Sequence, residues 1–343
     1  MNAFQGTIPV LDMSTARLAD GSFNPEFIDQ LRDAAHRVGF FQIVGYGAAD
    51  GQVAELFDAI KRFFELPLDE RLKLDNRNSP HFRGYTRMGT ERTQGRADAR
   101  EQLDYSPESE PVTDYSDDQK YWLLRGPNQW PDAVQPDLRE KAMAWAELMS
   151  SVGHDLLAAI GVGLGLPEDY FDEPFADTPH WMGKLVHYVG GVVEEAGDQG
   201  VGIHADYGFV TLLLQDMIGG LEVRPPESEE WLPVEPIEGA LVVNLGEMLE
   251  VATDGYITAT IHRVQAPPPG VDRYSVPFFW SPRLDAVIDP VPLPDELKAE
   301  SRGRTDDPTN PMLSSFGANM LKGRLRAHPD VTEKYYPELL AKK

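Results

Sequence analysis

Apolar positions in the first part of the chain recur at helical spacing. Phe27, Leu31, Ala34 and Ala35 fall on one face after Asn24-Pro25, an N-cap followed by a first-turn proline. A helix is therefore predicted from Pro25 to about Gly39. Phe40-Phe41-Gln42-Ile43-Val44 then reads as a strand closed by Gly45-Tyr46-Gly47, and Ile8 to Asp12 as a short β-like entry. A second helix is predicted from about Asp50 to Leu66, where Val53, Leu56, Phe57, Ile60, Phe63 and Phe64 repeat at helical intervals. Residues 76–120 lose this periodicity. They are polar and rich in arginine, and read as a long irregular segment, a kind that in a compact domain is often functional. A long helix, with room for a kink, follows from Asp137 to Gly163.

From about Trp181 the texture changes to short β-rich runs separated by Gly, Pro or acidic clusters. Eight are predicted: Lys184–Val189, Gly202–Asp206, Val210–Gln215, Leu221–Arg224, Leu232–Val234, Leu241–Leu245, Thr258–Val264 and Val276–Trp280. Their number and spacing point to an antiparallel sandwich or a double-sheet jelly roll. Phe316 to Leu340 reads as a final helical region. The fold class expected is thus α+β. A helical and strand region covers 1–130, a long helix 131–175, the jelly-roll core 176–290 and a tail 291–343, packed as one catalytic unit.

Composition narrows the function. The 343 residues are 41% apolar and 25% charged, as in globular proteins. Lys plus Arg number 31 against 56 Asp plus Glu, a net charge of −25, which argues against a nucleic-acid partner. Cysteine is absent, which excludes disulfide scaffolds, cysteine nucleophiles, zinc fingers and cysteine-held iron–sulfur clusters. Any metal must be held by His and carboxylate groups. No basic start with an apolar run begins the sequence, and the most apolar stretch, Leu148 to Leu166, contains His154 and Asp155. A soluble, cytoplasmic protein with no membrane partner is expected.

Among eight histidines, His204-Ala205-Asp206 stands out. In a strand, residues i and i+2 point to one face, so the imidazole and the carboxylate converge. His262, on a later predicted strand, can supply a third ligand. Two His and one carboxylate leave the opposite side of a metal open, which suits non-haem Fe(II); a catalytic zinc site is the competing reading. His328-Pro329-Asp330 repeats the spacing, but in a helical tail with no strand to align it, and reads as an exposed loop at a helix start. His36 and His154 lie within helices without a partner in sequence. Arg273 and Ser275 share a face of the strand that ends in Phe279-Trp280, and an arginine in an apolar setting calls for a carboxylate.

These residues resemble the 2-oxoglutarate- and Fe(II)-dependent oxygenases, in particular their isopenicillin N synthase-like branch. The resemblance runs along nearly the whole chain: Ile8-Pro9-Val10-Leu11-Asp12, Gly39 to Val44, Arg83-Gly84-Tyr85-Thr86, His204 to Leu213, Gly219 to Val223, Trp231 to Val234, Val243-Asn244-Leu245-Gly246-Glu247, His262-Arg263-Val264 and Arg273-Tyr274-Ser275 follow in family order. It implies a double-stranded β-helix, with His204, Asp206 and His262 on Fe(II) and Arg273, Ser275 and Tyr188 on the cosubstrate 2-oxoglutarate. The family's Asn-Tyr-Tyr-Pro run appears here as Val186-His187-Tyr188-Val189, so the Asn contact is absent, and His187 reads as structural. The implied reaction consumes O2 and 2-oxoglutarate, releases succinate and CO2, and hydroxylates, desaturates or cyclises a small metabolite. A same-fold oxidase that spares 2-oxoglutarate, a zinc hydrolase and a non-catalytic binding protein are the rivals. Substrate contacts are expected from Arg87, Arg92 and Arg96 in the segment Asn76 to Lys120, read as a lid, and from Trp280. Those arginines favour an anionic substrate.

Overall fold

The computed structural model describes residues 7–191, 199–226, 228–303 and 311–340. Its strands in chain order are β1 (Val10–Asp12), β2 (Phe40–Val44), β3 (Gly84–Thr86), β4 (Arg92–Thr93), β5 (Arg96–Ala97), β6 (Glu101–Tyr105) and β7 (His180–Tyr188). These are followed by β8 (Gln199–His204), β9 (Val210–Gln215), β10 (Leu221–Arg224), β11 (Leu232–Pro233), β12 (Leu241–Leu245), β13 (Ile261–Gln265) and β14 (Arg273–Ser281). An eight-stranded sheet runs β1-β2-β12-β9-β14-β7-β6-β3, and a four-stranded sheet runs β11-β10-β13-β8. All pairings are antiparallel except that of β1 with β2.

The two sheets enclose an apolar layer. Phe40, Val186, Tyr188 and Val242 from the large sheet meet Val201, Leu221, Val223 and Val264 from the small one. This is the jelly-roll core. The other face of the large sheet is also buried, under helices. Leu103, Leu185, Leu212, Val243, Val276 and Phe278 are at most 0% exposed there and pack with Phe63, Trp145 and Leu156 of the helices Gln52–Glu65 and Asp137–Gly163. A fully buried side chain of this size contributes about 1.5–3 kcal/mol over an exposed one.

The first helix spans Pro25–Arg37, and the Asn24 side chain caps it by accepting from the Glu26 amide. It ends at Gly39, whose φ of +66 suits glycine, and whose added Cβ would lie 2.1 Å from the Thr258 carbonyl oxygen. The long helix runs Asp137–Gly163, and three short helices, Phe316–Ala327, Pro329–Tyr335 and Pro337–Leu340, form the tail.

The segment 76–120 is not irregular throughout. It holds β3, the hairpin β4-β5 and β6, and β6 lies between β3 and β7 in the large sheet. The sequence of β6, Glu-Gln-Leu-Asp-Tyr, hides it, because both its faces are buried and one carries polar side chains. The segment is also sewn to β8. The Ala99 amide donates to the Gln199 carbonyl (2.9 Å), and Asp98 accepts from the Gly202 amide (3.3 Å) and the Gln199 side chain (3.0 Å). These bonds join it to the strand that ends in His204.

Candidate active site

His204 closes β8, and His262 lies directly opposite it on β13. Their ring centroids are 4.2 Å apart. The Nδ1 of His204 faces the Gly202 carbonyl at 2.8 Å, and that of His262 faces the Thr260 carbonyl at 3.1 Å. A ring donating from Nδ1 keeps the lone pair of Nε2, so two imidazoles offer acceptor nitrogens to the space between them. Burial, and then the neighbouring His204, push His262 down to about 4, so the ring is neutral at physiological pH.

Asp206 completes the group. It lies two residues beyond the end of β8, so the turn, and not the period-2 rule of a strand, aims its carboxylate. The turn is clamped: the Glu247 amide donates to the Asp206 carbonyl (2.7 Å) and the Gly246 amide to that of Phe209 (2.9 Å). A Cβ on Gly246 would stand 2.2 Å from the Gly208 carbonyl oxygen, so only glycine permits this approach. Asp206 Oδ2 accepts from Thr211 Oγ1 (2.6 Å) and Asn244 Nδ2 (2.7 Å). Thr211 and Asn244 face each other in register on β9 and β12. Oδ1 is left to the imidazoles, 3.6 Å from His204 Nε2. Burial raises the Asp206 pKa, but the two imidazoles and these two donors outweigh it and leave it below the usual carboxylate range. Ligand atoms of His204, Asp206 and His262 lie within 4.8 Å of one another, the one such group among the described residues. One hard oxygen and two imidazole nitrogens on one side, each fixed by an outer hydrogen bond, fit a divalent iron.

Arg273 opens β14 and is 0% exposed. Its Nε donates to the Gly219 carbonyl (2.6 Å) and one Nη to Gln215 (3.2 Å), while the other Nη has no partner. No carboxylate among the described residues pairs with it. The guanidinium lies 4.7 Å above the Tyr188 ring, its partner in register, and Ser275 shares its face one pleat away. A buried cation with a free donor and no anion fits a ligand carboxylate.

A small pocket, partly open to solvent, adjoins the centre. Asp206, Thr211, Met182, Phe279, Met320 and His180 are in its wall. Phe279 therefore faces the chamber and Trp280 does not. Trp280 lies on the opposite face of β14, against Gly153 and 5.4 Å from the Phe175 ring. The substrate contact expected from Trp280 is corrected by the alternation of the strand.

The arginines of the segment divide in an unexpected way. Arg92 and Arg96 are exposed on the β4-β5 hairpin, Arg92 bonding the Gly95 carbonyl. Arg87 is half-buried beside Asp75 (3.4 Å) and Asp330 (3.7 Å). None of the three is in the pocket wall. Hydration and nearby carboxylates satisfy them outside, whereas Arg83 and Arg100 are the buried ones.

His328 is not on an exposed loop. It is 1% exposed, with Nδ1 3.3 Å from the Asn76 amide nitrogen and Nε2 3.5 Å from Glu91. The tail folds back over the sheet, which the local sequence does not reveal. His187 sits on the helix-facing side of β7, bonded to Glu101 (2.8 Å) and stacked on Tyr274. His36 stacks on Tyr256, and His154 is exposed near Asp172.

Two groups of residues were not found from sequence. Thr211 and Asn244 orient Asp206, and their signal is a polar residue inside an otherwise apolar strand on each of two strands. The second is a buried ionic layer in which Glu91 pairs with Arg100 and Lys184, each at 2.8 Å, and Arg324 with Asp104 at 2.7 Å. It is assembled from three distant segments, 91–104, β7 and the tail.

Known proteins fit this architecture. A model described as "non-haem dioxygenase in morphine synthesis N-terminal" matches residues 8–133, and that of the "2OG-Fe(II) oxygenase superfamily" matches 182–282. A 2-oxoglutarate-dependent dioxygenase, frbJ, of Dothideomycetidae sp. is 36% identical over 98% of this chain and 94% of its own. A homoarginine-6-hydroxylase of Oryza sativa subsp. japonica is 34% identical over 83% of this chain and 88% of its own. The structure of Neurospora crassa T7H in complex with alpha-KG superposes with a TM-score of 0.73 at 25% identity, covering 93% of this chain and 96% of that one. With a jelly roll, a His-Asp-His cluster and relatives of this kind, the chain belongs to the 2-oxoglutarate- and Fe(II)-dependent dioxygenases. It is an oxidoreductase whose cofactors are Fe(II), 2-oxoglutarate and O2. Among the described residues no helix is long and apolar enough to cross a membrane.

Proposed function

We propose that His204, Asp206 and His262 hold the Fe(II), that Arg273 with Ser275 and Tyr188 grips the distal carboxylate of 2-oxoglutarate, and that a small cytoplasmic metabolite is oxidised, by hydroxylation, desaturation or cyclisation, in the adjoining pocket. The observation that carries this reading is the pairing of two unsatisfied sites on one inner face: three converging ligand atoms, and a buried guanidinium with a free donor. When bound, iron with the keto acid and O2 supplies the oxidation of an unactivated C–H bond, with succinate and CO2 released.

The chain's own residues bind, orient and exclude. Gly202 and Thr260 carbonyls fix the tautomers of His204 and His262. Thr211 and Asn244 hold one Asp206 oxygen, so the other points at the metal. Gln215 and the Gly219 carbonyl hold Arg273 over Tyr188, ready for a carboxylate. Phe279, Met182 and Met320 present apolar surface to the chamber and limit its water.

A small-molecule substrate is supported by the relatives, one named a homoarginine-6-hydroxylase and one solved in complex with alpha-KG and thymine. Assignment to the isopenicillin N synthase-like branch rests on the order of motifs from Ile8 to Ser275. The test is a metabolite panel scored for succinate above the uncoupled background, run beside His204→Ala and Asp206→Ala. The reading predicts substrate-stimulated succinate in the parent and none in either variant. Stimulated succinate in a variant that has lost a ligand would overturn the assignment.

A further inference from the structure

The pocket beside Asp206 contains a histidine that the reading above does not use. His180 opens β7, is 1% exposed, and has no hydrogen-bond partner at either ring nitrogen. His180 lines the same pocket as Asp206 and Thr211, with Met182, Phe279 and Met320 as the apolar part of the wall. The alternation of β7 puts it there: His180, Met182, Lys184, Val186 and Tyr188 share the inward face, and His180 pairs with Ser281 as Tyr188 pairs with Arg273. A buried imidazole with two unsatisfied nitrogens is unfavourable unless something fills the space before it.

The charges around it say what that something is. Arg83 is 2% exposed and spends its two terminal nitrogens on the His81 and Leu124 carbonyls, with no carboxylate partner. Arg125, also buried, donates to the Thr178 carbonyl, two residues before His180. Arg324 pairs with Asp104. Three buried guanidiniums thus stand against one buried carboxylate. In the neighbouring layer Glu91 and Asp98 are matched by Arg100 and Lys184. The next carboxylates, Glu108 and Asp285, are exposed. Burial first, and then these three cations, hold the His180 imidazole neutral. A neutral ring has one N–H to donate, and the surrounding field favours an acceptor that carries negative charge. In a chain of net charge −25, a local buried excess of positive charge is a feature to be balanced from outside.

We propose that this pocket takes a substrate with an apolar body and a carboxylate, and that His180 donates the hydrogen bond that fixes the carboxylate while the body lies toward Asp206. The proposal rests on Asp206 marking the metal centre only for which end reacts; the binding preference is independent of it. His180 is accordingly a specificity-determining residue.

The test uses three matched probes: phenylpropanoate, phenylpropanamide and phenylpropylamine. Each is titrated by calorimetry into the protein carrying Zn(II) and 2-oxoglutarate, and again into metal-free protein. The acid is expected to bind at least about tenfold more tightly than the amide or the amine, in both forms. His180→Phe keeps the ring volume and removes both nitrogens. It should weaken the acid by about tenfold, leave the amine within about twofold, and leave the 2-oxoglutarate affinity unchanged. His180→Gln restores a donor and should recover part of the acid preference, which guards against a packing effect of the phenyl ring. Equal binding of the three probes, preference for the amine, no binding of the acid, or an unchanged acid affinity in His180→Phe each overturns the proposal. Failure of the metal-centre reading shows instead in metal content and turnover, which these affinity ratios do not involve.

Discussion

Replacing Arg273 by Met should uncouple 2-oxoglutarate from the protein while leaving the metal ligands in place. The substitution keeps an unbranched apolar stem and deletes the guanidinium. In the free protein that group makes two hydrogen bonds, to the Gly219 carbonyl and to Gln215, and leaves one terminal nitrogen unsatisfied. Bound 2-oxoglutarate would add a buried charge pair there. Loss of one partner of such a pair costs about 2–5 kcal/mol, or roughly 30- to 5,000-fold in affinity. The effect can be read by thermal unfolding. Unfolding entropy of about 2.1 cal/mol/K per residue gives this 343-residue chain roughly 0.7 kcal/mol/K. At a 2-oxoglutarate concentration about 100 times the dissociation constant, binding stabilises the parent by ~2.7 kcal/mol and raises Tm by about 4 °C. A 30-fold weaker variant at the same concentration gains about 1 °C, and a weaker one none. The assay is a melt with Zn(II), with and without 2-oxoglutarate. An undiminished 2-oxoglutarate shift in Arg273→Met, with metal bound, would refute the assignment of this residue.

Two further outcomes follow from the same geometry. Thr211→Val keeps the shape and removes the 2.6 Å donor to Asp206, so metal affinity should fall by about 10- to 100-fold with the fold intact; calorimetric affinity within twofold of the parent would contradict it. His328, first by burial and then by Arg324, is held down to about 3, whereas the unfolded chain protonates near 6.5. Between these values unfolding takes up a proton, so stability falls as the pH drops, by on the order of 2 kcal/mol from pH 6.5 to 5 for this one group. The denaturant midpoint of His328→Gln should therefore drop less over that interval, and an equal drop would exclude His328 as a source.

The elements that could be read from sequence are those whose periodicity matches their burial. Pro25–Arg37 and Asp137–Gly163 carry apolar positions at helical spacing with one or more polar faces, and both lie where the pattern puts them. The strands from β7 to β14 are apolar runs between turn residues, and they too were legible. β6 was not, because Gln102 and Asp104 lie in a buried polar layer, and burial without apolarity leaves no pattern. The same layer explains the misplaced arginines. Sequence gives each arginine of 83–100 the same character, whereas the fold buries Arg83 and Arg100 and leaves Arg92 and Arg96 in water. His328 moved inward for a similar reason: the tail crosses the sheet, and Asn76 and Glu91 come to it from some 240 residues away in sequence. The His204, Asp206 and His262 group was visible because two members lie two residues apart where one short strand ends, the third lies on another short strand, and their neighbours are characteristic. The residues that orient it, Thr211 and Asn244, act through register between β9 and β12, a relation that no single stretch of sequence contains.

The most direct test of the centre is the visible charge-transfer absorption that arises when an α-keto acid chelates Fe(II), recorded without oxygen on the parent and on His262→Ala. The account predicts a band in the parent that saturates at one iron per chain. It predicts no band in His262→Ala at any 2-oxoglutarate concentration, while the circular dichroism of the two proteins stays the same. A band of full intensity in His262→Ala, or none in the parent, would contradict it.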